Sequence, residues 1–180
     1  MRTLPIAVTV LAAALALTSC DDSGGSTGKT GKTGKTSKGA TADCRIDKVG
    51  IEVGPANAAP AAGDTGNVPV TLTNRDSTCT LKGFPGLEVQ AGGASTDIAP
   101  EKSASPVKLT LAKDDTATFT ITYVRGKEGD AKTFDAQTLK IGLPGATATQ
   151  EFKWSYGPVA GKSEAADLNA SVSPFQHAGD

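Results

Sequence analysis

The hydrophobic pattern changes character twice along the chain. Residues 4–18 (LPIAVTVLAAALALT) form one nearly unbroken apolar run, whereas residues 21–40 (DDSGGSTGKTGKTGKTSKGA) hold no apolar side chain larger than alanine. From Cys44 onward the apolar positions recur with a period of two. Residues 67–74 set Val68, Val70 and Leu72 against Asn67, Pro69, Thr71 and Thr73, the alternation of a strand with one buried face. Pro69 on the polar side predicts an edge position or a bulge, because proline has no N–H to give to a ladder. The clearest strand is 116–124, where Ala117, Phe119, Ile121 and Tyr123 share one face and four threonines the other.

Further strands are expected at 49–53, 87–91, 107–111, 138–143 and 147–154. Turn chemistry separates them at Gly54-Pro55, Gly83-Phe84-Pro85-Gly86, Gly92-Gly93, Lys113-Asp114-Asp115 and Pro144-Gly145. Residues 56–64 read as a loop, since Pro60 and Gly63 interrupt any helix. Near the end, Leu168, Ala170 and Val172 alternate before Pro174, which fits either an eighth strand or a frayed tail. No amphipathic helix competes with this pattern. Seven or eight short strands with such spacing read as an all-β Greek-key β-sandwich over residues 44–175, followed by a tail at 176–180.

The opening run is too short to span a bilayer, which needs about 20 apolar residues, and matches the hydrophobic region of a secretory signal. It ends in Leu17-Thr18-Ser19-Cys20. These four residues resemble the lipobox of bacterial lipoproteins, in which the cysteine sulfur takes a diacylglycerol and cleavage leaves it as the first residue. The resemblance implies a signal peptide over 1–19, a lipid on Cys20 and a place at the extracytoplasmic face of the bacterial cell membrane. An ordinary signal peptide with an incidental cysteine is the alternative.

Composition sets the character of the next segment. Residues 20–43 cannot repay the entropy of ordering and are expected to be a disordered tether with an r.m.s. span of about 25 Å. Its triplets of Gly-Lys-Thr invite comparison with a phosphate loop. That motif needs a glycine five positions earlier, where the chain has Ser23, Ser26 and Lys29, so each copy fails. The lysines recur every third residue and suit either contact with anionic lipid or wall polymer or a solvated spacer. Residues 21–40 carry a net charge of +2 and residues 41–180 one of −4. A mildly acidic domain offers no basic face, which argues against nucleic acid as a partner.

With Cys20 assigned to lipid, Cys44 and Cys79 remain. An even pair outside the cytoplasm reads as one disulfide, closing a loop of about 36 residues and contributing about 3–4 kcal/mol by chain entropy. A free reactive pair is the rival reading, without a C-x-x-C spacing to support it.

Candidate chemistry is sparse. The single histidine, His177, lies three residues from the end of the sequence, so a triad depending on histidine has one poor candidate. After residue 20 the chain has one histidine and no methionine, which speaks against a Met/His copper site. Asp114-Asp115 fits a strand-joining turn better than a calcium loop. Trp154 and Tyr156 could form an aromatic patch for sugar or peptide, although a core tryptophan closing the sandwich is the plainer reading for Trp154. No cofactor is implied.

Cys44, Val68-Pro-Val-Thr-Leu-Thr-Asn74 and Cys79-Thr-Leu-Lys-Gly-Phe-Pro-Gly86 together resemble an actinobacterial domain of unknown function, DUF4232. Residues 107–118 (VKLTLAKDDTAT) resemble the strand-turn-strand next in that family, and the likeness extends to Trp154. The resemblance implies an immunoglobulin-like sandwich outside the cytoplasm and no particular activity. Many members carry a second cysteine pair in their latter half, which this chain lacks. The expectation is therefore a membrane-anchored envelope lipoprotein bearing a non-catalytic binding or structural module for an envelope protein or polymer. The alternative is an envelope hydrolase. The sequence singles out no ligand-binding residue and sets no oligomeric state.

Overall fold

The computed structural model describes residues 41–179. The expected signal peptide 1–19, Cys20 and the expected tether as far as residue 40 lie outside the described residues. Within them the chain forms thirteen strands and one 3₁₀ turn, Ile46–Lys48. The strands are β1 (Val49–Val53), β2 (Thr65–Asn74), β3 (Cys79–Lys82), β4 (Gly86–Ala91), β5 (Ala94–Asp97), β6 (Lys108–Leu111) and β7 (Thr116–Val124). They continue with β8 (Thr133–Phe134), β9 (Thr138–Gly142), β10 (Thr149–Lys153), β11 (Val159–Ala160), β12 (Ala170–Val172) and β13 (Gln176–His177).

Two antiparallel sheets face one another as a β-sandwich. One has the order β1-β2-β7-β12, with β13 also on β7, and the other the order β10-β9-β4-β5. The chain passes from β1-β2 to β4-β5 in the other sheet, returns to the first at β7 and crosses again to β9-β10, so that β7 lies beside β2 and β9 beside β4. This is the A-B-E and C-F-G neighbour order of immunoglobulin-like sandwiches. Short pairs β3-β6 and β8-β11 close the flanks.

The period-two pattern decides which face turns inward. Val68, Val70 and Leu72 of β2 and Ala117, Phe119, Ile121 and Tyr123 of β7 are all at most 1% exposed, and their threonine neighbours are half-buried. Opposite them lie Leu87 and Val89 of β4 and Leu139 and Ile141 of β9. Phe175 closes the core against Phe119 in an edge-to-face contact with centroids 5.5 Å apart. Trp154 is 3% exposed and belongs to this core.

Three details refine the pattern-based expectation. β2 is an interior strand between β1 and β7, not an edge, but Pro55 and Ala56 oppose Val68 alone between the Gly54–Pro69 and Asn57–Asn67 contacts, so the expected bulge lies beside Pro69. The Pro69 carbonyl accepts the Gly54 N–H at 2.8 Å, so its ring nitrogen faces the β1 side too. The bond it cannot donate would be the last of that ladder, where β1 ends and the chain swings out through Gly54-Pro55. Pairing resumes at Asn57, which exchanges two 2.9 Å bonds with Asn67. Secondly, Ala170–Val172 form β12 on β7, resolving the choice between a strand and a frayed tail. Thirdly, Gln176 and His177, expected in the tail, pair with Thr118 and Ala117.

Candidate functional site

The register of β1, β2 and β7 defines two ends of the sandwich. Val49 opposes Asn74 and Thr73 opposes Thr116 at one, while Val53 opposes Val70 and Thr65 opposes Val124 towards the other. The chain enters at the first end. There Ala42 accepts the Thr80 N–H and Cys44 donates to the Thr80 carbonyl, both at 2.9 Å, laying residues 42–44 parallel to β3. The Thr80 hydroxyl donates to Asp43 Oδ1 at 2.9 Å. Cys44 and Cys79 are joined as the expected disulfide, their Cα atoms 4.9 Å apart. Gln150 Nε2 reaches from β10 to the Ile46 carbonyl at 2.8 Å, tying the entry segment to the second sheet.

The same end is braced by Asn74, which is 1% exposed. Its Nδ2 lies 3.0–3.1 Å from the carbonyls of Ser77, Leu111 and Ala112, and its Oδ1 accepts the Asp76 N–H. Asp115 Oδ2 accepts the Ala112 N–H at 2.9 Å, and Asp114 takes φ 69° in the turn between β6 and β7. This pair of aspartates thus forms the turn that their spacing suggested.

Three aromatic rings organise the opposite end. Trp154 meets Tyr123 edge-on at 5.2 Å and Tyr156 edge-on at 5.0 Å. The polar atoms of Tyr123 and Trp154 are engaged with the loops around them. The Tyr123 hydroxyl donates to the Tyr156 carbonyl at 2.7 Å and accepts the Ala59 N–H at 3.3 Å. Trp154 Nε1 donates to the Gly157 carbonyl at 2.6 Å, and Arg125 Nη1 to that of Ala59 at 2.9 Å. Loops 54–64 and 155–158 are therefore held by buried groups with satisfied bonds, which favours one fixed shape. Burial, and secondarily the neighbouring Tyr123, pushes the Tyr156 phenol above the ordinary tyrosine range.

The half-buried Tyr156 and exposed Ser155 form a ridge between two open depressions. One, of about 640 Å³, has Ile51, Val53, Phe152 and Tyr156 in its wall. The other, of about 460 Å³, presents Glu128, Asp135, Ser155 and Pro158. Trp154 is thus core and Tyr156 surface, so the two do not act as one exposed patch. Tyr123 and Arg125, which fix this end, were not singled out by the sequence pattern. Tyr123 registered there only as one apolar position in a strand.

His177 is exposed on β13, beside Ala117. Among the described residues no three His, Cys, Asp or Glu side chains are grouped to hold a metal ion, and no helix is long and apolar enough to cross a membrane. Cys20 lies outside the described residues. A family model described as a domain of unknown function (DUF4232) matches residues 44–176. No curated protein matches the chain.

Proposed function

The chain belongs to the DUF4232 family, and from that premise we propose that it is a cell-envelope lipoprotein whose sandwich is a non-catalytic binding module. In this reading Cys20 carries the lipid and holds the protein at the extracytoplasmic face of the cell membrane. Two acyl chains anchor stably where one binds reversibly, because each buried CH₂ contributes about 0.8 kcal/mol. Residues 21–40 are the leash, long enough for the domain to sample the envelope around its anchor. The aromatic end then meets an envelope protein or polymer.

The observation that supports this reading is the separation of the two ends. The chain enters beside β3, where Cys44 and Cys79 are joined, and the Tyr123–Trp154–Tyr156 cluster lies at the other end of β2 and β7. A module tied at one end presents the loops at its other end to a partner, and fixed loops at the tip of a sandwich are a common recognition surface.

A photoreactive amino acid placed at exposed Ser155, and separately at exposed Pro144 near Cys44, tests the assignment in living cells. Adducts to an envelope protein or glycan polymer are expected from position 155 in preference to 144. Equal adducts from both positions, or none from 155, would contradict a binding end at the aromatic cluster.

A further inference from the structure

The outer edge of β10 is open and self-complementary. β10 pairs with β9 on one side only, and no strand lies on its other side among the described residues. The Trp154 N–H donates to the Gln137 carbonyl at 2.8 Å, so Trp154, Phe152 and Gln150 direct their main-chain groups towards β9. Thr149, Glu151 and Lys153 consequently direct theirs outwards. No main-chain hydrogen bond involves those outward groups within the described chain. The side chains of Glu151 and Lys153 are exposed on the outer face, and the half-buried Phe152 points inwards beside Ile51 and Val53.

We propose that this edge pairs with the same edge of a second copy of the chain, antiparallel, about a twofold axis at Phe152. Three features of the edge converge on that register. With Phe152 opposite its symmetry mate, Glu151 of each copy opposes Lys153 of the other. Both of those residues have outward-directed backbone groups, so each such pair exchanges both its hydrogen bonds. Each also sets a carboxylate against an ammonium on the outer face, where opposite charges directly across strands stabilise pairing. On the inner face the two Phe152 rings meet over the apolar depression that the isolated domain leaves open. Lys140 ties Glu151 at 3.7 Å within the chain, but it also lies 3.5 Å from Glu88 and keeps that partner when Glu151 turns across the axis. The interface is isologous and closed, and it joins β10-β9-β4-β5 to its copy as one continuous sheet.

Sedimentation of the full chain in detergent, with carbodiimide cross-linking of carboxylate to amine, tests this directly. The wild type is expected to form a dimer whose cross-linked species contains a peptide joining Glu151 to Lys153. Lys153→Glu sets carboxylate against carboxylate in both pairs and should weaken the dimer at least about tenfold. The double variant E151K/K153E restores opposite charges and should restore the dimer. Glu151→Pro removes an outward donor without touching the β9 ladder, so it should abolish dimerisation while leaving the melting temperature of the domain nearly unchanged. A wild-type chain that stays monomeric at every concentration would overturn the proposal. So would a dimer indifferent to both Lys153→Glu and Glu151→Pro.

Discussion

The side-chain amide of Asn74 joins the local turn after β2, at Ser77, to the distant end of β6 and start of the turn into β7, at Leu111 and Ala112. Asn74→Ala leaves buried carbonyls without donors, a cost of about 2–3 kcal/mol. Thermal unfolding followed by circular dichroism should show a melting temperature lower by about 5–10 °C. An unchanged value would mean that the turns hold themselves. The sequence placed Asn74 at the end of an expected strand, but its burial was not legible there, because two of the carbonyls it satisfies lie 37 and 38 residues away. The same separation hid the aromatic end. Trp154 is recognisable as core from its size and place, whereas its contact with Tyr123 depends on how the two sheets face each other.

Among the elements, strands with a clean alternation could be read directly: β1 and β7 have the expected bounds, and β2, β4, β6, β9 and β10 differ from them by at most a few residues. The strands that could not be read lack that alternation for definite reasons. In β3 Cys79, Thr80 and Leu81 are all buried, Cys79 being bonded to Cys44 and the Thr80 hydroxyl to Asp43 of the strand segment alongside. β5 has no large apolar residue. It exists because Gly92 and Gly93, at φ 53° and 89°, form a two-residue hairpin turn that folds it back on β4. The two-residue strands β8, β11 and β13 take their conformation from their partners. The disulfide belongs to this scale as well, since it fastens the entry segment to β3. Cys44→Ser should lower stability by about 3–4 kcal/mol under oxidising conditions. Adding reductant to the wild type should reproduce that loss. A variant that melts with the oxidised wild type would show the bridge to be dispensable.

At the scale of the whole molecule, a sandwich fastened at its entry end and fixed in shape at the other suits a module held on a lipid anchor. Pairing through β10 would give each assembly two anchors and two aromatic ends, and effective concentration then favours a polymer or a repeated partner over an isolated one. The fold class was legible because turn chemistry and period-two alternation agree along most of the domain. The partner was not, since recognition depends on loops whose residues follow no period. Lipid on Cys20 is the claim on which the rest of the functional reading depends. Cells expressing the wild type or Cys20→Ala can be fed a fatty-acid analogue and fractionated. The wild type is expected to carry the label and sediment with membranes, and Cys20→Ala to carry none and appear in the soluble fraction. Equal labelling and equal membrane association of the two would contradict lipid anchoring and the tethered module built on it.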